Sequence, residues 1–248
     1  DIACGDSLKK NVIDDHGAII RGDLSTKTLT LVFTGDEFAD GGAHIRRTLK
    51  QNKVTGAFFL TGNFYANAAF AKLIQRLKKD GHYLGAHSDK HLLYADWTKR
   101  DSLLVTEHEF KHDLLRNYQR MEKFGINFID APYFLPPYEW YNSTIVQWTR
   151  DLGLQLVNFS PGTRSAADYT FPEMGNRYLS SDQIYKSIIR CEESNAHGLN
   201  GFMLLVHIGT DPRRTDKFYK RLDKLIGELR SRGYRFVTIN ELLGNRNR

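Results

Sequence analysis

The chain has 248 residues, a net charge of +6 and 41% hydrophobic residues, a composition typical of a globular protein that folds without disulfides or metal. No apolar run approaches the roughly 20 residues needed to cross a bilayer, so we expect a protein that is not transmembrane. Its basic residues are scattered and form no stripe interleaved with aromatic residues, so the sequence does not favour a nucleic-acid partner.

Short apolar segments, rich in β-branched and aromatic residues and flanked by Gly, Asp or Asn, recur along the whole chain. This pattern predicts strands, and the alternation of strands with amphipathic segments predicts a mainly parallel sheet. The predicted strands are Leu29–Phe33, Val54–Leu60, Tyr83–Ala86, Ile126–Ile129, Gln155–Phe159, Phe202–Val206 and Arg235–Thr238.

Helical periodicity appears between these strands. One apolar face precedes Gly81, another precedes Gly233, and Thr106 with Glu109 has the spacing of a capping box that begins a helix. Seven strand–helix units predict an α/β fold, a distorted (β/α) barrel with about seven parallel strands, with an open doubly wound sheet as the alternative. We expect one domain over residues 1–248, with its core at about 28–243 and an N-terminal extension at 1–27.

Two histidine pairs match metal-binding spacings, and the helical period separates them. His108 and His112 lie in the helix that begins near Thr106, roughly opposite the apolar face formed by Phe110 and Leu114. We therefore expect this pair to face solvent, whereas the H-E-x-x-H pattern of zinc proteases needs histidines that face a cleft.

The second pair directly follows a predicted strand, where barrels place their chemistry. His87 and His91, four residues apart in a turn of helix, would present both imidazoles on one side. Asp36, just after the strand Leu29–Phe33, is the predicted third ligand. Two imidazoles and a carboxylate leave open positions for water and substrate, as in catalytic metal sites.

Several motifs in order make the chain resemble the polysaccharide deacetylases, the NodB-like carbohydrate esterases of family four. The segment His87–His91 fits the family's H-[ST]-x-x-H pattern. Leu135–Asn142 (LPPYEWYN) resembles R-P-P-Y-G-x-Y-N, and Leu204–His207 fits L-x-x-H. Asp168–Tyr169 stands where the family often has Asp-Trp. The resemblance extends over about residues 28–243 and implies the NodB-like deacetylase barrel.

The first motif departs from the family's T-F-D-D-G, in which the first aspartate is the base and the second a metal ligand. Aligned without a gap, Thr34 and Gly35 replace both aspartates; a slip of one residue restores Asp36 as the ligand. Leu135 also replaces the arginine that pairs with the base. A buried arginine without its carboxylate is costly, so both changes belong together. A rebuilt site would use Glu37 or Asp36 as the base.

The resemblance implies a metal-dependent hydrolase that removes acetyl groups from a glycan or polysaccharide. The expected cofactor is a divalent ion, zinc first, with nickel or cobalt as alternatives. The backbone N–H of Tyr138 would hold the oxyanion, and His207 would protonate the leaving group. Asp168 would orient His207. The rings of Tyr138, Trp140 and Tyr141 would contact sugar, because amphipathic aromatic side chains suit sugar faces.

Two other functions stay open at this point. A protein with an impaired base would bind the acetylated glycan without cleaving it, and relatives of the family hydrolyse other non-peptide C–N bonds. The resemblance also implies an extracytoplasmic location, in the periplasm, the cell envelope or secreted. The sequence starts at Asp1 rather than at methionine, which is compatible with a removed signal peptide.

Overall fold

The computed structural model describes residues 10–244. Its main sheet has seven strands, and all neighbouring strands are parallel. The strand order is β7-β6-β5-β4-β3-β8, and β9 is also paired to β3. A separate antiparallel pair, β1 and β2, precedes it. The strands are β1 Val12–Ile13, β2 Ile19–Arg21, β3 Thr28–Gly35, β4 Ala57–Leu60, β5 Tyr83–Ala86, β6 Tyr133–Phe134, β7 Gln155–Leu156, β8 Phe202–His207 and β9 Arg235–Phe236.

Strand β3 is the centre of the sheet. It pairs with β8 over six residues, from Leu29–Phe202 to Thr34–His207, and with β4 near its end. From Leu29 to Gly35 every residue is buried. Such a continuous buried run is typical of parallel strands covered on both faces.

The loop after β7 bridges the gap between the two edges of the sheet. Asn158 donates its backbone N–H to Ile19 of β2 at 3.0 Å, and Ser160 donates to Met203 of β8 at 3.0 Å. The sheet is therefore curled into an incomplete barrel, which confirms the predicted fold class and excludes the open doubly wound alternative.

Helices cover the outer face of the sheet, and their predicted apolar faces are the buried ones. At the start of α4, Thr106 and Glu109 form the predicted capping box, in which each side chain accepts a hydrogen bond from the backbone N–H of the other. As predicted, Phe110 and Leu114 are buried. His108 and His112 are exposed. The helices are α1 Gly42–Gln51, α2 Gly62–Ala66, α3 Ala71–Lys79, α4 Glu107–Glu122, α5 Ser143–Asp151, α6 Ser181–Ser194, α7 Leu222–Ser231 and α8 Ile239–Leu243.

One predicted strand, Ile126–Ile129, is wrong. Residues Phe128–Asp130 form a 3-10 turn, in which Ile129 is 80% exposed. The strand in this part of the sheet is β6, a few residues later, where Tyr133 and Phe134 are both fully buried. Of the apolar residues at 126–129, Ile126 is buried in the core, whereas Phe128 and Ile129 are exposed.

No helix among residues 10–244 is long and apolar enough to cross a membrane. Residues 10–244 enclose one hydrophobic core. The expected single domain over 1–248 stays a prediction, because residues 1–9 and 245–248 lie outside the described part of the chain.

We expect Thr106→Ala to lower the free energy of unfolding by about 1 kcal/mol, because its side chain caps the backbone N–H of Glu109. Urea denaturation measures the change. His108→Ala, on the exposed face of the same helix, is the matched control and should change stability by less than about 0.5 kcal/mol. Equal effects of both substitutions would contradict the capping role.

Candidate active site

The residues that follow the carboxyl ends of the strands surround one cleft of about 750 Å³. Strand β3 leads to Asp36 and Glu37, β5 to the histidine pair, β6 to Tyr138 and Glu139, and β8 ends at His207. Because parallel strands all end at the same side of the sheet, residues distant in sequence meet there. The polar side chains that line the cleft include Asp36, Glu37, His87, His91, Glu139 and His207.

The loop after β5 holds the histidine pair and is itself held by α4. Asp113 accepts hydrogen bonds from the Ser88 hydroxyl at 2.6 Å and from the backbone N–H groups of Asp89 and Lys90 at 3.0 and 3.1 Å. Asn117, one helical turn later, accepts from the backbone N–H of His87 at 2.9 Å. Asp113 and Asn117 of α4 therefore determine the path of this loop.

The start of α2 packs against the same loop from the other side. Gly62 donates its N–H to Ser88 at 3.1 Å, and a Cβ atom at this position would lie 1.7 Å from the Asp89 carboxylate. Only glycine leaves room for this approach. Asp89 is buried and accepts a hydrogen bond from Arg120 at 2.6 Å, so it is a structural residue of the loop.

One ring nitrogen of His87, Nδ1, is hydrogen-bonded, and the other, Nε2, has no hydrogen-bond partner among residues 10–244. Its Nδ1 lies 2.6 Å from the carbonyl oxygen of Leu135, and since a carbonyl only accepts, Nδ1 carries the proton. Burial, together with the neighbouring His91, lowers the pKa of His87 well below its usual value. A neutral imidazole with a free Nε2 lone pair is the form that ligates metal.

His91 lies beside His87, with 5.1 Å between the ring centroids, and also contacts the ring of Tyr138. Burial lowers the pKa of His91, and the nearby Asp36 carboxylate opposes this effect. The predicted turn of helix is wrong: the segment is a loop, with positive φ angles of 71° at Ser88 and 56° at His91. The hydrogen bonds to α4, not helical spacing, bring the two imidazoles together.

The end of β3 shows how the altered first motif folds. A Cβ atom at Gly35 would lie 2.6 Å from Ile208 and 2.9 Å from Leu60, so the packing around this position leaves no room for an aspartate. Asp36 lines the cleft instead, which favours the slipped alignment. Thr34 also lines the cleft, and its buried hydroxyl has no hydrogen-bond partner.

Asp36 lies near His91, but the three predicted ligands do not form a closed cluster. The Thr61 hydroxyl donates to Asp36 at 2.7 Å. Within residues 10–244 no three His, Cys, Asp or Glu side chains converge closely enough to hold a metal ion. The donor atoms of the histidine pair fit a divalent cation, and Asp36 as the third ligand stays a prediction.

His207, at the end of β8, is paired with Asp168 through two hydrogen bonds. The carboxylate accepts from the backbone N–H of His207 at 2.8 Å and from its Nδ1 at 2.5 Å. Burial by itself lowers the pKa of His207, but the Asp168 carboxylate outweighs it, and the net pKa is raised. The pair keeps Nε2 of His207 directed away from Asp168 and favours the protonated ring near neutral pH.

Glu139 is a cleft residue that the sequence reasoning did not select. It occupies the glycine position of the family's R-P-P-Y-G pattern, and both Tyr138 and Glu139 have positive φ angles, of 60° and 52°. A non-glycine residue in this conformation costs about 1–2 kcal/mol. Burial raises the pKa of Glu139 to about 7, with His207 opposing the shift and Asp168 adding to it. The signal in the sequence was a glutamate at a position that favours glycine.

The predicted sugar-contacting aromatic residues separate into three environments. Tyr138 lines the cleft and is 46% exposed. Trp140 is half-buried beneath Arg100, whose guanidinium carbon lies 4.0 Å from its ring centroid. Tyr141 is buried and donates its hydroxyl to Asp14 at 2.6 Å, so the structure does not bring it to the cleft. Trp97, which the sequence reasoning missed, is 56% exposed and lines the cleft beside Tyr138.

The sequence matches the polysaccharide deacetylase family over residues 22–157, more than half of the chain. This protein belongs to the polysaccharide deacetylase family. The resemblance predicted from the motifs is therefore confirmed.

Relatives and solved structures agree with this assignment. The chain is 25% identical over 233 residues to the peptidoglycan-N-acetylmuramic acid deacetylase PdaA of Bacillus subtilis, covering 94% of this chain and 78% of that protein. The structure of a peptidoglycan N-acetylglucosamine deacetylase superposes with a TM-score of 0.72, 20% identity and coverage of 92% and 93%.

A third similar structure is described as a pseudoenzyme. It is the family-four protein BA3943 of Bacillus anthracis, with a TM-score of 0.70, 19% identity and coverage of 93% of this chain and 70% of that one. At these identities the two structural matches establish the deacetylase fold and do not by themselves establish activity.

We expect Asp168→Asn to lower the pKa of His207, because the carboxylate that stabilises the imidazolium is removed. The asparagine keeps one side-chain oxygen, which can still accept the backbone N–H of His207. An NMR titration of the histidine ring protons measures this, with His207→Ala used to assign the signal. Asp182→Asn, on the exposed surface of α6, is the control. An unchanged His207 titration in Asp168→Asn would contradict the pairing.

Proposed function

We propose that this protein is a metal-dependent hydrolase that removes acetyl groups from a glycan. The observation that supports this most directly is that the side chains needed for this chemistry line one cleft. A pair of neutral imidazoles lies on one side, and the Asp168-supported His207 lies at the end of β8. Together with the family assignment, this favours hydrolysis of an acetyl amide or ester. The name of the relative PdaA favours a peptidoglycan-like amino sugar as substrate.

His87, His91 and Asp36 are the proposed ligands of the divalent cation. When bound, such an ion polarises the acetyl carbonyl and lowers the pKa of water. The open Nε2 of His87 is the feature of this chain that supports the assignment, because the other ring nitrogen is held by Leu135. Zinc is the proposed ion, with nickel and cobalt as the alternatives to compare.

His207 is the proposed general acid. Its raised pKa favours the imidazolium form, and Asp168 holds the ring so that it donates to the leaving nitrogen or oxygen as the bond to the acetyl carbon breaks. The backbone N–H of Tyr138 is proposed to stabilise the oxyanion, and the exposed ring of Tyr138 to contact sugar. Asp36 and Glu37 were the predicted bases, and both line the cleft.

The second candidate function is glycan binding without hydrolysis. It is favoured by the buried Leu135, which is 1% exposed and cannot replace the charge of the family's arginine, and by Thr34 at the end of β3. The existence of a pseudoenzyme with this fold is compatible with it. Since the glycans named for the relatives are cell-wall polymers, we also propose an extracytoplasmic location, which fractionation of the native cells would test.

The decisive measurement of function is acetate release from peptidoglycan fragments, N-acetylated chito-oligosaccharides and acetylated xylan, before and after EDTA and with zinc, cobalt or nickel added back. We expect metal-restored release, and His207→Ala should reduce turnover by about 10²–10⁴-fold without loss of metal. Binding of these glycans with no acetate released under any of the three ions would favour the binding protein.

We expect His87→Ala and His91→Ala each to abolish stoichiometric zinc binding, measured by elemental analysis after dialysis and by calorimetry, because each removes one of two facing imidazoles. His108→Ala and His112→Ala form the control pair, since these residues have similar spacing but are exposed on α4. Asp36→Asn should weaken binding less. Retention of zinc after loss of His87, or its loss from the His108 variant, would refute this assignment.

A further inference from the structure

The cleft of this deacetylase-family chain lacks the proton acceptor at the family's usual position. Thr34 and Gly35 stand where the two aspartates of the first motif would be in an ungapped alignment, and Gly35 has no room for a side chain. The carboxylate of Asp168 already accepts two hydrogen bonds from His207. Among residues 10–244, four other carboxylates line the cleft, of which Asp211 is paired with Arg213 at 2.9 Å; the remaining three are Asp36, Glu37 and Glu139.

The backbone around Glu139 fixes its side chain toward the cleft. Pro136 and Pro137 precede Tyr138 and Glu139. The backbone N–H of Glu139 donates to the carbonyl oxygen of Pro136 at 3.1 Å. Asn158 donates to the carbonyl oxygen of Glu139 at 3.4 Å. These contacts hold a left-handed conformation at both Tyr138 and Glu139 that glycine would adopt without strain. Strain of this kind is concentrated at functional sites.

Glu139 and His207 line the same cleft. Each of the two groups also affects the titration of the other. Yet no direct ion pair joins Glu139 to any lysine, arginine or histidine in residues 10–244. The cleft that the two groups share, about 750 Å³ in volume, has room for a water molecule and an acetyl group.

We propose that Glu139 is the general base of the reaction, an inference that rests on the proposed deacetylase function. Its carboxylate takes one proton from water as the water oxygen bonds to the acetyl carbonyl carbon. His207, protonated, then gives its proton to the sugar nitrogen or oxygen as the bond from that atom to the acetyl carbon breaks. The products are the free amine or hydroxyl and acetic acid, which loses the second water proton to become acetate, and the proton on Glu139 returns through solvent to His207.

Glu139 suits this role better than the other two carboxylates. Asp36 accepts a hydrogen bond from Thr61 at one oxygen, and its proposed role as a metal ligand would compete with taking a proton. Glu37 is exposed, and bulk water competes for its oxygens. Burial instead raises the pKa of Glu139 to about 7, where a general base is most effective near neutral pH.

Leu135 fits the same arrangement. An arginine at this position would place a cation beside the rim of the cleft and would stabilise a nearby carboxylate in its ionised, less basic form. The aliphatic Leu135 is buried and carries no charge, and its carbonyl oxygen accepts the hydrogen bond from His87. The family's base and its arginine partner are therefore both absent, and the half-buried carboxylate of Glu139 lines the cleft without an ion-pair partner among residues 10–244.

The test is kinetic and uses the metal-loaded full chain. We expect Glu139→Gln to lower kcat by about 10²–10⁴-fold with KM, zinc content and glycan affinity little changed, and Glu139→Asp to retain part of the activity. Glu122→Gln, on the exposed face of α4, should behave as the wild type. Glu139→Gly suits the positive φ angle and serves as a second variant, inactive but with an equal or higher Tm, in case the glutamine variant folds poorly.

The outcomes separate this inference from the proposed function. Full turnover in Glu139→Gln and Glu139→Gly, with loss of turnover in Glu37→Gln, would overturn the role of Glu139 and leave the deacetylase function intact. A wild type that binds glycan but releases no acetate with any of the three metals would overturn the proposed function and the base role together. Loss of zinc from Glu139→Gln would assign Glu139 to the metal site and also overturn the inference.

Discussion

The cleft depends on one buried carboxylate that lies outside it. Asp113 of α4 accepts three hydrogen bonds from residues 88–90, and hydrogen bonds to a charged acceptor contribute about 1.5–3 kcal/mol each. This contribution is large enough to hold a loop in which Ser88 and His91 both have unfavourable positive φ angles. Without Asp113 the loop would lose the geometry that places His91 beside His87.

Burial lowers the histidine pKa on both sides of the cleft, and the neighbours of each ring decide the net shift. Near His87 lie a carbonyl oxygen and the imidazoles of His91 and His207 but, among the described residues, no carboxylate in contact, so its pKa is lowered, which favours the neutral ring. His207 has Asp168 in direct contact, and the carboxylate raises its pKa despite burial. One cleft therefore contains two imidazoles whose pKa is lowered, which favours the neutral form that binds a cation, and a third whose pKa is raised, which favours the protonated form.

The departures from the family pattern are related through space and not through sequence. Thr34 at the end of β3, Leu135 after β6 and Glu139 four residues later all border the same cleft or its loop. Loss of an acidic residue from one strand and of its basic partner from another removes an ion pair. Glu139, at a left-handed position, places a half-buried carboxylate on the cleft wall. A substitution considered alone at any of the three positions would suggest an inactive site.

The sequence by itself determined the parallel α/β fold, the solvent exposure of His108, and the order of the motifs that assigns the family, because hydrophobic periodicity and strand-end motifs are local properties. It also indicated that Asp168 would contact His207, through the resemblance. Only the tertiary structure decided the place of β6, the loop conformation of the histidine pair, the burial of Tyr141 and the position of Glu139 in the cleft. Each of these depends on contacts between elements far apart in the chain, such as α4 with the loop after β5, and a local pattern has no information about such contacts.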